Sequence, residues 1–396
     1  MSMTLIIPEG ITEIKDSEFY QREDITSVVI PDSVTKIDTY AFSECKHLLE
    51  ITIPDSVTEI GYGAFDGCSE LKSIHIPCSL TKIAPGIFWE CTGLTSVTIP
   101  ESVNEIENEA FKGCTGLTSI TIPESVKKIG NAAFKGCTGL TSITIPKSVK
   151  SIDREAFSDC AGLASITVDA ENSCYDSRDN CNAIIDSWDD YLICGCKTTI
   201  IPDTVTKIGD CAFAGRLGLT TVNIPNSVTE IGLFAFADCT ELTEITIPDS
   251  VTELERYAFF KCTQLASVTL SNSLTEISSY TFEGCTALAS VNIPDSVTQI
   301  GWMAFKNCTK LTSLNIPTSV TELWDDAFAG CTGLMAIAIP DSVTDIGEDT
   351  FLECSNATVL LSKDSKLQDD DFKGCKEVVR VDDPTEELEK RFKTKK

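Results

Sequence analysis

Nineteen cysteines and only two histidines carry the reactive chemistry of this 396-residue chain. Thirteen of the thiols recur at one position of a repeat: Cys45, Cys68, Cys91, Cys114, Cys137, Cys160, Cys239, Cys262, Cys285, Cys308, Cys331, Cys354 and Cys375. A thiol does nucleophilic or redox work only as thiolate. Held at a fixed repeat position, it reads instead as a small buried hydrophobe with a weak donor, suited to a tight corner. Side chains in such a ladder project in parallel, so neighbours are not aimed to form disulfides. Arg22 and Arg216 take this position in two coils beside irregularities, where the corner is expected to open to water. Cys174, Cys181, Cys194 and Cys196 cluster elsewhere, without the paired C-x₂₋₄-C knuckles of a zinc site. Zinc, a single disulfide and packed free thiols all stay open there. His47 falls beside the Cys45 corner, and His75 stands among Ser73, Thr52 and Thr98. A lone imidazole beside hydroxyls lacks the orienting acid and strained nucleophile of acyl transfer. No phosphate loop, dinucleotide fingerprint or HExxH occurs, so no cofactor is expected.

The elements that carry these residues are set by a period of 23. Prolines fall at Pro8, Pro31, Pro54, Pro77, Pro100, Pro123 and Pro146, and the phase runs on to Asp169. It restarts at Pro202 and continues through Pro225, Pro248, Ser271, Pro294, Pro317 and Pro340. About ten extra residues lie between the two runs. A period of this length predicts a solenoid of leucine-rich-repeat or β-helix type, growing by stacking. In "LTSVTIPESVNEIENEAFKGCTG" (94–116), Leu94 to Ile99 alternate as a strand, which Pro100 ends by withholding a donor. Ser102 is placed to bond nearby backbone in the following turn. Val103 and Ile106 face inward. "EAFKGC" predicts a return segment, drawn as one helical turn, with Ala110, Phe111 and Cys114 inward and Gly113 permitting a sharp turn. Phenylalanine recurs in register from Phe42 to Phe351, which predicts a continuous aromatic spine.

The unit L-x-x-[IV]-x-I-P-x-S-V-x-x-I-x-x-x-A-F-x-G-C-x-x resembles the BspA-type leucine-rich repeat, over roughly residues 1–360. Residues 168–202, with "NCNAII" and a Gly-Cys before "TIIP", resemble the island that interrupts many bacterial members of that family. The resemblance implies a right-handed, curved leucine-rich-repeat solenoid. A parallel β-sheet lines its concave face, short or helical turns form the return side, and one β-hairpin is inserted. It implies a surface or secreted protein that binds protein or glycan partners, including host extracellular matrix proteins. It supplies no catalytic residues. The expected organisation is N-terminal coils (1–168), an enlarged coil with the hairpin (169–201), C-terminal coils (202–377) and a cap or tail (378–396), about sixteen coils in all.

The outward strand positions form a hydroxyl ladder that includes Ser96/Thr98, Ser119/Thr121 and Ser142/Thr144, and ends at Ala336/Ala338. Such a ladder either pairs with itself across strands or hydrogen-bonds a peptide or glycan. Tyr175, Trp188 and Tyr191 place large aromatics at the insertion, a natural protruding loop. Trp89, Trp302, Trp324, Tyr257 and Tyr280 fall on the return side. Five residues past each proline, the first half alternates charge (Lys36, Glu59, Lys82, Glu105, Lys128). The second half stacks Glu230, Glu253, Glu276, Gln299, Glu322 and Asp345. That stripe is either solvated charge or a weak surface for cations or a basic ligand.

A net charge of −29 argues against nucleic acid and anionic lipid as partners, and no run is long enough to span a bilayer. "MSMTLIIPEG" carries no visible export signal, which keeps a cytoplasmic interaction scaffold as the alternative to an adhesin-like surface protein. Asp383, Pro384 and early glutamates predict a short capping helix, with Leu388 and Phe392 on one face.

Overall fold

The computed structural model describes residues 3–393. The chain divides into two compact units, Met1–Thr199 and Ile200–Lys396, and each is a stack of parallel coils. Most coils add a short strand to one ladder and a two-residue strand to a second. In the first unit Ser73–His75 pairs with Ser96–Thr98, and Glu105–Ile106 pairs with Lys128–Ile129. In the second, Ser267–Thr269 pairs with Glu244–Thr246, and Gln299–Ile300 with Glu322–Leu323. The strand expectation holds in detail: Leu94, Val97 and Ile99 are buried and Ser96 and Thr98 exposed.

The return segment is a chain of turns, the short-turn form of the two expected and not the helical one. Its residues alternate between two jobs. In the coil that follows Pro100, the N–H groups of Glu109, Phe111 and Gly113 cross to the carbonyls of Asn131, Ala133 and Lys135 at 2.9, 2.8 and 2.7 Å. Those of Lys112 and Cys114 close local turns onto Glu109 and Phe111 at 3.1 Å. Alternation of this kind requires positive φ at Glu109 (58°) and Gly113 (73°), which breaks any helix. Glycine has a second use after the corner: a Cβ on Gly116 would lie 2.5 Å from the Thr92 carbonyl of the preceding coil.

The phenylalanine spine is present in both units and longer than the sequence indicated. It starts at Phe19, whose ring stacks on Phe42 at 5.3 Å, and ends with Phe351 against Phe372 at 5.6 Å. Rings such as Phe111 and Phe134 lie 5.3 Å apart and 1° from parallel, an offset stack. Ser56 donates to the Val34 carbonyl at 2.8 Å as expected of the turn serines. The hydroxyls of Ser102, Ser125 and Ser148, at the same position, are buried with no acceptor among the described residues.

The second ladder is interrupted once in each unit, between Glu59–Ile60 and Lys82–Ile83 and between Glu253–Leu254 and Glu276–Ile277. Both interruptions follow a change inside. Leu80 and Leu274 stand where the regular coils carry valine (Val57, Val103, Val251, Val297). The longer side chain asks for room that a ladder packed to valine lacks.

Three elements depart from the repeat. Ala183–Asp186 pairs antiparallel with Tyr191–Gly195 and with Tyr175–Asp176, giving the expected hairpin a third strand. Pro384–Lys393 is a helix whose Glu386 N–H is held by Asp383 at 2.9 Å, the predicted cap. Its Leu388 packs on Ala336, Ala338 and Leu360. Ala336 and Ala338 are therefore buried, where the strand pattern placed them outward. The side chain of Phe392 lies outside the described residues. No helix among the described residues is long and apolar enough to cross a membrane.

Candidate binding surfaces

The cysteines resolve first. From Cys45 to Cys354, twelve ladder thiols donate to the phenylalanine carbonyl of the preceding coil at 3.0–3.3 Å. Ten of these carbonyls, as at Phe42, also accept the cysteine N–H of their own coil at 3.1–3.3 Å; those of Phe19 and Phe213 accept the N–H of Arg22 and Arg216 instead. The side chain needed at the corner is therefore small, apolar and a weak donor. Burial pushes the Cys45 and Cys354 thiols up to about 11, so they stay protonated and inert. All described cysteines are free. Cys196 contacts the carbonyls of Ala164 and Asn182 at 3.5 Å, continuing the ladder's chemistry beside the hairpin. No three His, Cys, Asp or Glu side chains among the described residues are gathered to hold a metal ion.

The two arginines at this corner part ways. Arg22 is open and bonds Asp24 through two nitrogens at 2.7 and 2.8 Å. Arg216 is fully buried, its Nη1 donating to the Ala214 carbonyl at 3.3 Å. The expectation of a wet corner fails at Arg216 because the long side chain lies inside, not beside, the packed coil.

His75 does have a carboxylate nearby, contrary to the sequence reading: Asp55 Oδ1 lies 3.8 Å from Nε2. The exposed Cys78 completes a Cys–Asp–His grouping, its N–H on Asp55 at 3.0 Å. The order is wrong for a nucleophile. Asp55 sits against the thiol and raises its pKa, the reverse of activation. His47 meets Glu70 at 3.1 Å on the open surface.

The hydroxyl ladder is exposed and largely unpaired. Thr144 and Thr167 meet at 3.2 Å, and Ser27 donates to Thr4 at 2.8 Å. Ser96, Thr98, Ser119, Thr121 and Ser142 have no side-chain partner among the described residues. In the second unit the same face holds a polar groove of about 670 Å³, lined by Thr221, Asn223, Glu244, Thr246, Asp249 and Asn272.

At the insertion the aromatics separate. Trp188 is 82% exposed at the hairpin tip, next to a turn that Arg178 clamps onto Asp176 at 2.7 Å. Tyr191 is half-buried. Tyr175 is buried, not presented to a partner: its hydroxyl accepts the Ile152 N–H at 2.9 Å. It stands in for a strand carbonyl, and burial lifts its pKa to about 12. The acidic stripe is in register but partly compensated. Lys207 pairs with Glu230 at 2.7 Å, and Gln299 donates to Glu276. Glu253, Glu322 and Asp345 remain exposed on the stripe. The sequence reading missed a cluster of anchors on the return side, where Arg256 and Glu276 join Trp302 and Trp324 around one recess.

The model of the BspA-type leucine-rich repeat region matches residues 12–139, 105–184, 190–311 and 265–379. The chain belongs to the BspA-type leucine-rich repeat family. Its BspA-type coils are similar to those of a leucine-rich cell surface protein from Faecalibacterium prausnitzii, at 31% identity, covering 94% of this chain and 90% of that one with a TM-score of 0.63. A leucine-rich repeat protein from Bacteroides ovatus is similar at 30% identity, 96% and 92% coverage and a TM-score of 0.59. One from Eubacterium ventriosum shares the fold, at 24% identity, 95% and 89% coverage and a TM-score of 0.67. The search of curated proteins gives no match.

Proposed function

We propose that this BspA-type chain is a non-enzymatic, adhesin-like surface protein that binds protein or glycan ligands through its coil faces and its hairpin. The observation that carries this reading is the exposed face of side chains with unspent hydrogen-bonding capacity, from Ser96 and Thr98 in one unit to the polar groove at Asn223 and Glu244 in the other. Many weak contacts on a preformed surface add without a large ordering cost. The likeness to a cell surface protein from Faecalibacterium prausnitzii supports the surface location. Trp188 is the one large aromatic set far out on the hairpin, and aromatics of this kind dominate interface energetics.

Purified chain is screened against extracellular matrix proteins and glycans beside a version in which residues 177–190 are replaced by a short turn. Binding that disappears on trimming assigns recognition to the hairpin; binding that persists assigns it to the coil faces. A chain that binds nothing extracellular overturns the surface reading. The free thiols favour a second reading, an intracellular interaction scaffold, because persistent free cysteines suit a reducing compartment. Thiol counting on native material separates the two: oxidised cysteines count against the scaffold.

A further inference from the structure

The interruption of the second ladder between Leu254 and Ile277 is accompanied by a recess. In regular coils an amide crosses here, as Glu255 N–H does to the Ile231 carbonyl at 2.9 Å. At the interruption the Leu254 carbonyl is instead taken by the Ser278 hydroxyl at 2.6 Å. A recess of about 330 Å³ opens beside it, lined by Arg256, Glu276, Gln299, Trp302 and Trp324. A second of about 350 Å³ adjoins on the other side of Arg256.

We propose that this recess is a subsite for a pyranose ring of a glycan, with room for a second ring across Arg256. This rests on the surface-binding reading above and names its site and ligand class. Sugar rings present flat apolar C–H faces and a rim of hydroxyls. Trp302, 43% exposed, offers the apolar platform, braced edge-on by Trp324 at 5.2 Å and 72°. The rim needs fixed donors and acceptors, because a few placed polar groups orient a ligand in an otherwise apolar pocket. Glu276 accepts from the Gln299 amide and shares the single Ser278 hydroxyl proton, 3.1 Å away, with the Leu254 carbonyl. The Arg256 guanidinium has no ion-pair partner among the described residues, although Glu253, Glu255 and Glu276 all line the adjoining recess with it. Its planar fork of donors is available for neighbouring hydroxyls. The Trp324 indole N–H, at the wall of the recess, is buried with no acceptor among the described residues. One arginine and one glutamate at the Trp302 recess leave it without net charge, which suits a hydroxyl-rich neutral ring better than a cationic or polyanionic peptide.

The test titrates the full chain with methyl glucoside, galactoside, mannoside and N-acetylglucosaminide at millimolar concentration, read by saturation-transfer NMR. The same is done for Trp302→Ala, Trp302→Phe, Arg256→Gln and, as a control, Trp188→Ala, with each fold checked by circular dichroism. At least one pyranoside binds; Trp302→Ala weakens it by about tenfold or more, as loss of a stacking anchor should. Trp302→Phe keeps part of the binding and Trp188→Ala all of it. No pyranoside binding, or binding indifferent to Trp302→Ala, overturns the subsite. Matrix-protein binding without any pyranoside binding sinks the subsite alone and leaves the surface reading intact.

Discussion

In the coils of residues 3–199 the stripe alternates lysine with glutamate and two of its lysines pair with stripe glutamates, whereas the coils of residues 200–393 stack carboxylates after a single such pair. Lys36 reaches Glu13 at 3.0 Å and Lys128 reaches Glu105 at 3.2 Å. After Lys207 meets Glu230 at 2.7 Å, the second unit stacks carboxylates. Inside, the difference vanishes. Phe111 and Phe134 stack at 5.3 Å, Phe282 and Phe305 at 5.4 Å. Cys114 donates at 3.1 Å and Cys285 at 3.2 Å. Each coil buries its edge only against its neighbours, so the interior must repeat. The outer face bears no such constraint, and there the two units have diverged.

The largest effect should test the sameness of the interiors. Phe111→Ala and Phe282→Ala each empty a fully buried spine position. Each is expected to cost about 3–5 kcal/mol, with equal losses read from urea unfolding. A cost in one unit less than half that in the other would show that the interiors are not equivalent.

The buried thiols give a second, smaller test. Cys45 in one unit and Cys354 in the other are raised by burial to about 11, and Cys375 to about 12. The unfolded thiol titrates near 9.0. A thiol raised on folding holds its proton more tightly in the native state. Its contribution is thus fully present below the unfolded pKa and is lost as pH climbs through the folded one. Urea midpoints should hold to about pH 8 and fall steadily toward about pH 11, in both units over the same window. In the native protein at neutral pH, a thiol reagent should label exposed Cys78 and spare the ladder until unfolding. Early labelling of the ladder in one unit only would break the parallel.

The repeat made the interior readable because every coil restates it. Proline, Phe and Cys positions identified the strand, the spine and the corner without any long-range information. The return segment left short turns and a helical turn both open, because its alternation of φ sign leaves no mark on side-chain periodicity; Glu109 and Ala132 adopt positive φ without being glycine. The errors lie where the repeat meets something foreign. Tyr175 looks like a free aromatic until the hairpin folds over it. Ala336 and Ala338 look outward until the C-terminal helix arrives, although two alanines in place of hydroxyls were the available signal. Arg216 reads as a charge at an open corner, and only the packing shows it enclosed. The recess at Trp302 was equally hidden: its residues come from four coils, and only Leu274 in place of valine marked the spot.

The smallest predicted effect bears on the outer difference directly. Glu253→Lys sets a cation against Glu230 and should stabilise; Lys128→Glu removes the partner of Glu105 and adds a like charge, and should destabilise. Both sites are exposed to solvent to some degree, so each shift should stay within about 0.5 kcal/mol. Both should shrink in high salt, since screening acts on surface charges more than on packing. Opposite signs, both fading with salt, would establish that the two units differ by surface electrostatics alone. A Glu253→Lys change that destabilised at every salt concentration would mean that the acidic stripe is held by something other than solvent, and the comparison would then turn on what occupies it.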